Sequence, residues 1–308
     1  MIRKVRKDNL VIQDGRITAR IRFQDLGEYD RFDDYWSVEI PEGVTAIGER
    51  VFSDVKCRFH VEIPQTVKVI EKKSFAWSGV NDLSISEGLE VIDDEAFAYT
   101  YELRSIELPK PLKYIGKEAF IESPLKSLIL PENLKLIGER AFYNNNLLHV
   151  CVENGVQHIG DEAFRACVML STASIPGTVN RIPKGLFFGC GCLENVQLGE
   201  GIEEIGESAF QDCALENLQI PDSVRIIRKN AFANALIDEK LILPESLEIL
   251  EDRAFAECFE LKCVVFPKRL ETLAREYQEK LKDDSFFNQG AFCNCFALQE
   301  IRIQDHDK

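Results

Sequence analysis

Three-residue segments whose first and third residues are apolar recur along most of the chain, with the period of two that is typical of half-buried β-strands. Proline follows several of them, which ends a strand without removing a backbone donor that the sheet needs. The segments lie at residues 38–40, 61–63, 83–85, 106–108, 128–130, 150–152, 173–175, 196–198, 218–220, 241–243, 264–266 and 301–303. The alternation predicts that the middle residue of each segment points away from the core.

Phenylalanine recurs in the same register, at intervals of 22 or 23 residues from Phe52 to Phe255. The interval from Phe255 to Phe292 is 37 residues, which indicates an insertion. Each repeat has two further apolar positions between its strand and its phenylalanine, and the second is most often isoleucine. When repeats stack, each of these positions forms a column of apolar side chains, and we call the second the isoleucine column. Glycine often follows the isoleucine and predicts a positive φ angle or a tight bend at these positions: Gly48, Gly116, Gly138, Gly160 and Gly206.

A unit of 22 or 23 residues is too short to bury its own apolar side chains, so neighbouring units must stack on each other. The sequence therefore predicts a solenoid with one parallel sheet of about twelve strands, roughly 4.8 Å apart. About eleven full repeats and a final strand occupy residues 37–303. We expect residues 1–36 to form an N-terminal β-hairpin cap with an Asp14-Gly15 turn, and residues 304–308 to form a charged tail.

One repeat shows the consensus in full: Leu103-x-x-Ile106-x-Leu108-Pro109-x-x-Leu112-x-x-Ile115-Gly116-x-x-Ala119-Phe120. This pattern resembles the BspA-like (Treponema pallidum-type) leucine-rich repeat of bacteria, over about residues 35–303. The resemblance implies a leucine-rich-repeat solenoid, a curved right-handed coil with a concave parallel β-sheet and a convex side of short loops and turns. It also implies binding of other macromolecules, often at a bacterial cell surface, without indicating which ligand is bound.

The insertion, at about residues 274–287, is rich in helix-forming residues. It is either a tolerated surface insertion or a knob that contacts a partner through Tyr277, Leu281, Phe286 and Phe287. The sequence shows no cap after the last strand, whose edge and core would then be exposed. Either the tail folds over this turn, or the turn pairs with another molecule by self-association, or further chain follows.

The net charge of −15, from 37 basic and 52 acidic residues, argues against nucleic acid or an anionic membrane surface as a partner. No apolar run is long enough to predict a membrane span. The first residues lack the apolar core of a secretory signal. A cytoplasmic location is therefore favoured, with the cell surface or secretion as the alternative.

Half of the ten cysteines share one repeat position, three residues after the phenylalanine, where other repeats place small residues. This position predicts buried thiols that serve packing, which fits a reducing compartment: Cys167, Cys190, Cys213, Cys258 and Cys295. The CxC pairs at 190–192 and 293–295 lack a histidine pair or a CxxC partner, so we predict no metal and no cofactor. No catalytic motif is present, and the prediction is a protein that is not an enzyme; a metal-dependent hydrolase at the CxC pairs is the enzymatic alternative.

The middle strand residues define the predicted concave face. Glu39, Glu62 and Glu107 make its first repeats acidic, and like charges on neighbouring strands indicate either solvent screening or a basic partner. The face becomes apolar elsewhere, which often marks an interaction site: Ile129, Cys151, Ile242 and Val265. His60 and His149 are expected on the same side, four repeats apart and too distant to share a metal ion or act as a catalytic pair.

These features predict a non-enzymatic scaffold that binds a protein partner, basic or mixed basic and apolar, on its concave face. The alternative is a bacterial cell-surface or secreted adhesin that binds a host matrix protein or glycan.

Overall fold

The computed structural model describes residues 2–5, 9–21, 35–216, 218–282 and 289–304. The chain divides into two compact units: unit 1 comprises Met1–His149 and Gly155–Phe164, and unit 2 comprises Val150–Asn154 and Arg165–Lys308. Each unit is a parallel β-solenoid with short loops, and the only α-helix among the described residues lies in unit 2. The solenoid predicted from the repeats is confirmed.

The strands are short, and most turns of the coil contribute two of them. In chain order they are β1 (Ile2–Val5), β2 (Ile12–Gln13), β3 (Arg16–Ile17), β4 (Tyr35–Glu39), β5 (Ala46–Ile47), β6 (Arg58–Ile63), β7 (Val69–Ile70), β8 (Val80–Ile85), β9 (Val91–Ile92), β10 (Ser105–Ile106), β11 (Tyr114–Ile115), β12 (Ser127–Leu128), β13 (Leu136–Ile137), β14 (His149–Cys151), β15 (His158–Ile159), β16 (Thr172–Ile175), β17 (Arg181–Ile182), β18 (Asn195–Leu198), β19 (Glu204–Ile205), β20 (Ile226–Ile227), β21 (Lys240–Ile242), β22 (Ile249–Leu250), β23 (Cys263–Phe266) and β24 (Glu300–Ile303). The helix α1 spans Glu271–Lys280 and follows a 3-10 turn at Lys268–Leu270.

The strands form two kinds of ladder. The predicted strands make the first ladder, which is continuous only over short stretches: β1-β4-β6-β8 and β10-β12 in unit 1, and β14-β16-β18 and β21-β23-β24 in unit 2. The isoleucine column makes a second ladder, β3-β5-β7-β9-β11-β13-β15 in unit 1 and β17-β19-β20-β22 in unit 2. The predicted parallel sheet is thus present as several shorter stretches, and residues 218–220 form no strand.

The N-terminal residues extend both ladders of unit 1. Strand β1 pairs in parallel with β4, and the hairpin β2-β3 adds β3 in parallel to β5. Asp14 and Gly15 have φ angles of 49° and 75° at the tip of the hairpin, as the favoured two-residue turns require. These residues thus add one more turn to the coil, and its apolar side chains cover the first repeat.

The phenylalanine column forms the centre of the core. In unit 1 the rings from Phe52 to Phe164 stack with centroids 4.9 to 5.4 Å apart, and in unit 2 those from Phe187 to Phe292 are 4.9 to 5.6 Å apart. All of these rings are fully buried. Their spacing is close to the roughly 4.8 Å that separates neighbouring strands, so one ring per turn fills the interior without a gap.

In the loop around each phenylalanine, the backbone amides of alternate residues donate hydrogen bonds to the next turn of the coil. The amides of Phe52 and Asp54 donate to carbonyl oxygens of Ser74 and Ala76 at 2.7 and 2.9 Å, whereas the amide of Ser53 donates back to Arg50. Residues two before and two after the phenylalanine, such as Arg50 and Asp54, have positive φ angles. This alternation satisfies the backbone of a buried loop that has neither helix nor strand.

The recurrent glycines after the isoleucine column do not have positive φ angles, so that part of the expectation is wrong. They allow turns to approach each other closely instead. A Cβ atom on Gly138 would lie 2.4 Å from the carbonyl carbon of Gly116 in the preceding turn. Glycine is thus used here because it lacks a side chain.

Candidate functional site

The first strands of unit 1 present an acidic surface. On β6, Phe59, Val61 and Ile63 are buried, so His60 and Glu62 point outward. The register places Glu39 opposite Glu62, and Glu62 opposite Ser84. We call the outward side chains Glu39, Glu62, Asp82, Ser84 and Glu107 the acidic strand face.

His60 lies among the carboxylates of this face. Its Nδ1 atom is 3.1 Å from Asp82 Oδ2, its Nε2 atom is 3.8 Å from Glu62 Oε1, and its side chain is 15% exposed. The register of β6 and β8 pairs His60 with Asp82, next to an irregularity after Phe59. His60 is thus close to one carboxylate of its own strand and to another of the neighbouring strand β8.

Asp82 was missed by the sequence reasoning, which considered only the middle residue of each three-residue segment. Strand β8 is six residues long, and Asp82 precedes Ser84 by two residues on the same face. The period-two rule applied over a longer window would have found it.

The remaining charge of the acidic strand face is not neutralised by neighbours. Arg58 pairs with Glu102 at 3.2 Å. Glu39 and Glu107 form no ion pair with any residue in the described part of the chain. The face therefore holds a negative potential that a basic ligand can neutralise.

Two shallow clefts join along this face. One, of about 430 Å³, is lined by Glu39, Glu62 and Ser84 among others. The other, of about 360 Å³, is lined by Asp82, Ser84 and Glu107 among others. Because both include Ser84 and Ser86, they form a continuous groove across the strands of unit 1. A groove of this kind suits an extended segment better than a compact small molecule.

The other residues predicted for the concave face lie outside the acidic strand face. In unit 1, Ile129 is 83% exposed and His149 is exposed. In unit 2, Cys151 and Ile242 are exposed, and Ile242 lines a cleft of about 380 Å³ together with Gln219 and Lys240.

Val265 is not an exposed apolar residue, and that prediction is wrong. It is buried at 9% exposure because β23 is the central strand of its sheet, with Ile242 on one side and Arg302 on the other. The two flanking side chains shield it from solvent.

Tyr277, predicted as a contact residue of the insertion, is also buried. The helix α1 lies at Glu271–Lys280, and Tyr277 packs edge-on against Phe292 at 5.4 Å and against Phe266 at 6.0 Å. Leu281 is half-buried at the end of the helix, and Phe286 and Phe287 lie outside the described residues. Tyr277 is therefore a core residue, which removes it from the candidate contact residues.

The same helix covers the last turn. Gln278 Nε2 donates a 2.8 Å hydrogen bond to the carbonyl oxygen of Ile301 in β24, and Leu298 and Ile301 are buried at 5% exposure each. The expectation of an uncapped last turn is wrong for its apolar core, because the insertion covers it. Among the described residues β24 pairs only with β23, so its outer edge stays the predicted place for self-association.

None of the ten cysteines, all of which lie in the described part of the chain, forms a disulfide bond. The five that follow the phenylalanine by three residues are buried, as predicted. Their position also has a hydrogen-bonding role, since Cys213 Sγ donates to Phe187 O at 3.2 Å and Cys258 Sγ donates to Phe232 O at 3.3 Å. Burial raises the pKa of the Cys190 and Cys213 thiols, so both stay protonated at neutral pH.

The described residues contain no group of three or more His, Cys, Asp or Glu side chains placed to hold a metal ion. In the first CxC pair, Cys190 is buried and Cys192 is exposed. Among the helices of the described part of the chain, none is long and apolar enough to span a membrane.

The stacked turns, the phenylalanine column and the exposed strand face define a leucine-rich-repeat solenoid. The profile of the BspA type Leucine rich repeat region matches residues 29–149 and 157–282 in six copies. The chain belongs to this family. Its members are repeat scaffolds, which suggests a protein-interaction role for the chain.

Solved structures of bacterial leucine-rich-repeat proteins have the same fold. A leucine-rich repeat protein from Bacteroides ovatus is 25% identical, with a TM-score of 0.71 over 87% of this chain and 69% of that one. A leucine rich cell surface protein from Faecalibacterium prausnitzii is 22% identical, with a TM-score of 0.53 over 99% of this chain and 88% of that one. The pneumococcal vaccine antigen PcpA is 23% identical, with a TM-score of 0.51 over 88% and 75% of the two chains. No match was found among curated proteins.

Proposed function

We propose that the chain is a non-enzymatic scaffold whose acidic strand face binds a basic, extended segment of a partner protein. The observation that carries this proposal is the row Glu39, Glu62, Asp82 and Glu107 along a continuous groove, in which His60 lies 3.8 Å from Glu62 and 3.1 Å from Asp82. Membership of a repeat family that serves as a scaffold supports it.

The arrangement has an energetic cost that a partner would remove. Glu39 and Glu62 lie directly opposite each other on neighbouring strands, where like charges are mildly destabilising. A lysine or arginine between them would relieve this repulsion and form charge-assisted hydrogen bonds. Such contacts speed association and select a partner by charge.

An exposed apolar side chain of the same unit would add specificity. Ile129 directly follows β12 and is 83% exposed. A partner that carries both basic and apolar side chains fits the acidic strand face and Ile129 better than a purely basic one.

The test is capture of partners from lysate by three matched proteins: wild type, a face variant and a control variant. The face variant carries Glu39→Lys, Glu62→Lys and Glu107→Lys. The control carries Glu122→Lys, Glu260→Lys and Glu276→Lys, which are exposed carboxylates that line neither cleft of the acidic strand face. Both variants change the net charge equally, so only the position of the charges differs.

We expect the face variant alone to lose the partner, with an affinity for the identified basic segment at least about tenfold weaker than that of the control. Equal binding by all three proteins would refute the proposal. Equal loss in both variants would show that overall charge, and not this face, attracts the partner.

The location in which the scaffold acts is a separate proposal. Ten cysteines without a disulfide bond favour the reducing interior of the cell. An adhesin on the cell surface is the alternative, and the F. prausnitzii protein with this fold is described as a cell surface protein. Labelling of intact cells with an impermeant amine reagent separates the two, since only a surface protein is labelled.

A further inference from the structure

A second candidate site lies on the loops that flank Phe52 and Phe75, and none of its residues belongs to the acidic strand face. A cleft of about 250 Å³ is lined by Arg20, Arg50, Lys73, Asp54 and Trp77, with Ser53 and Ala76 between them. All of these residues belong to unit 1. The cleft combines three cations and one carboxylate in a chain whose net charge is −15.

Trp77 gives the cleft an exposed aromatic surface. Its side chain is 50% exposed, whereas the other tryptophan, Trp36, is buried. The indole stacks on the ring of Tyr99 at 4.1 Å between centroids and 13° between planes, which fixes its orientation. A half-exposed, rigidly held indole provides a flat apolar surface at low entropic cost to a ligand.

The three cations are held at the cleft by contacts that a ligand can replace. Arg20 donates to the Ser53 carbonyl at 2.9 Å and to Asp54 Oδ2 at 2.8 Å, and Lys73 Nζ is 3.1 Å from Glu95 Oε2. Arg50 Nε is 3.7 Å from Glu49 Oε1. These pairs are partly exposed and therefore weak, so they orient the cations without neutralising them fully.

We propose that this cleft binds an acidic sugar, one ring that carries a carboxylate or a sulfate group. The C–H groups of a sugar ring would pack on the indole of Trp77, and the anionic group would accept hydrogen bonds from Arg20, Arg50 and Lys73. Arginine suits this role because its planar fork binds carboxylate and sulfate with two parallel hydrogen bonds. The small volume of the cleft favours one sugar ring over a nucleotide or a folded peptide.

Tryptophan fluorescence measures this binding directly. In a Trp36→Phe background Trp77 is the only tryptophan, so any spectral change reports on the cleft. The probes are a hyaluronan tetrasaccharide, a chondroitin sulfate tetrasaccharide, the neutral cellotetraose and AMP. If Trp36→Phe does not fold, calorimetric titration of the wild-type protein with the same probes replaces the fluorescence.

We expect one or both acidic tetrasaccharides to bind at least about tenfold more tightly than cellotetraose, and more weakly as salt is added. The two acidic probes show whether carboxylate suffices or sulfate is needed. Equal binding of the neutral sugar, or no binding of either acidic sugar, would overturn the proposal. Preferential binding of AMP would overturn it in favour of a phosphate ligand.

The repeat itself supplies variants that the loops tolerate. Ala166, Ser208 and Asn230 occupy equivalent positions with the same positive φ angles, so Trp77→Ala, Lys73→Ser and Arg50→Asn keep natural loop residues. We expect Trp77→Ala to weaken binding about tenfold, and Lys73→Ser with Arg50→Asn to do at least the same. The controls Asn144→Ala and Arg140→Asn introduce the same residues at the equivalent positions of another loop of unit 1 and should bind as wild type. Loss of affinity in the controls, or none in the cleft variants, would refute the site.

Discussion

The backbone amide of Ala291 donates a 2.8 Å hydrogen bond to the hydroxyl oxygen of Tyr277, which joins the inserted helix to the last phenylalanine loop. Both residues are buried, and the Tyr277 ring packs against Phe292, the last ring of the column in unit 2. Terminal turns of a solenoid need a cover over their apolar side chains. The insertion therefore serves as a cap within the last repeat.

Replacing Tyr277 by phenylalanine should destabilise this cap while leaving its packing nearly intact. The Ala291 amide would lose its acceptor in a buried environment, which costs about 1–2 kcal/mol. Urea unfolding followed by circular dichroism gives the loss of stability. Hydrogen exchange of residues 289–304 should accelerate, because the cap opens more often.

Tyr114→Phe is the matched control, since it removes a hydroxyl from a half-buried tyrosine in unit 1. Its effect should be within about 0.5 kcal/mol of zero. If both variants lose the same stability, the hydrogen bond to Ala291 contributes nothing and the cap depends on ring packing alone.

In most repeats the position three residues after the phenylalanine holds a side chain that can donate a hydrogen bond; Val55 and Ala235 are the exceptions. Asn145 Nδ2 donates to Phe120 O at 2.7 Å and Ser123 Oγ to Phe97 O at 2.8 Å, as Cys213 does to Phe187. Cys213→Ser keeps a donor and Cys213→Ala removes it, so we expect the alanine variant to be less stable than the serine variant by about 1 kcal/mol. The reverse order in thermal unfolding would show that apolar packing of the sulfur, not the donor, matters here.

The buried thiols should make the stability of the protein fall at alkaline pH. Burial raises the pKa of Cys190, Cys213 and Cys258 above the ordinary value of 9.0. Above pH 9 the unfolded chain loses these protons while the folded chain keeps them, so the free energy of unfolding decreases as pH rises. The contribution of each buried thiol to the free energy of unfolding is fully present below pH 9. Above pH 9 it falls by up to about 1.4 kcal/mol per thiol for each pH unit.

Urea unfolding under reducing conditions, from neutral pH to about pH 10, measures this slope. The triple variant Cys190→Ser, Cys213→Ser and Cys258→Ser should have a flatter profile above pH 9, because serine does not titrate there. If the triple variant loses stability with pH as steeply as the wild type, the loss of stability at alkaline pH comes from other groups, such as tyrosines.

The first ladder and the phenylalanine column could be predicted because each depends on a pattern within one repeat. The period of two places Val61 and Ile63 inside and Glu62 outside without knowledge of the neighbours. The second ladder could not be identified as a sheet. Its strands, such as Val69–Ile70, are only two residues long, too short to show an alternation.

The candidate site was predicted in part for the same reason. Glu39, Glu62 and Glu107 follow from the alternation, whereas the exposure of Val265 and Tyr277 depends on side chains from other turns. A sequence pattern gives the direction of a side chain, but not what packs over it. The cleft at Trp77 was missed because its residues come from three separate segments, at Arg20, Arg50–Asp54 and Lys73–Trp77.

At loop positions with positive φ angles, a change to glycine should raise the stability of the protein and a change to alanine should lower it. Ala166 and Gly189 both lie two residues after a phenylalanine, with φ angles of 59° and 76°. A Cβ atom on Gly189 would meet only Ala166 Cα, at 3.9 Å, so space does not limit the substitution. Gly189→Ala should then cost about 1 kcal/mol through backbone strain alone, and Ala166→Gly should gain up to about 1 kcal/mol.

Ala209→Gly is the control, because Ala209 precedes Phe210 in the same kind of loop and does not have a positive φ angle. This variant should lose stability, since glycine adds chain entropy to the unfolded state and removes a buried methyl group. In thermal unfolding we expect Ala166→Gly to be more stable than wild type, and Gly189→Ala and Ala209→Gly to be less stable than wild type. If Ala166→Gly is destabilised as much as Ala209→Gly, the loops do not hold a strained left-handed residue and the backbone alternation has another cause.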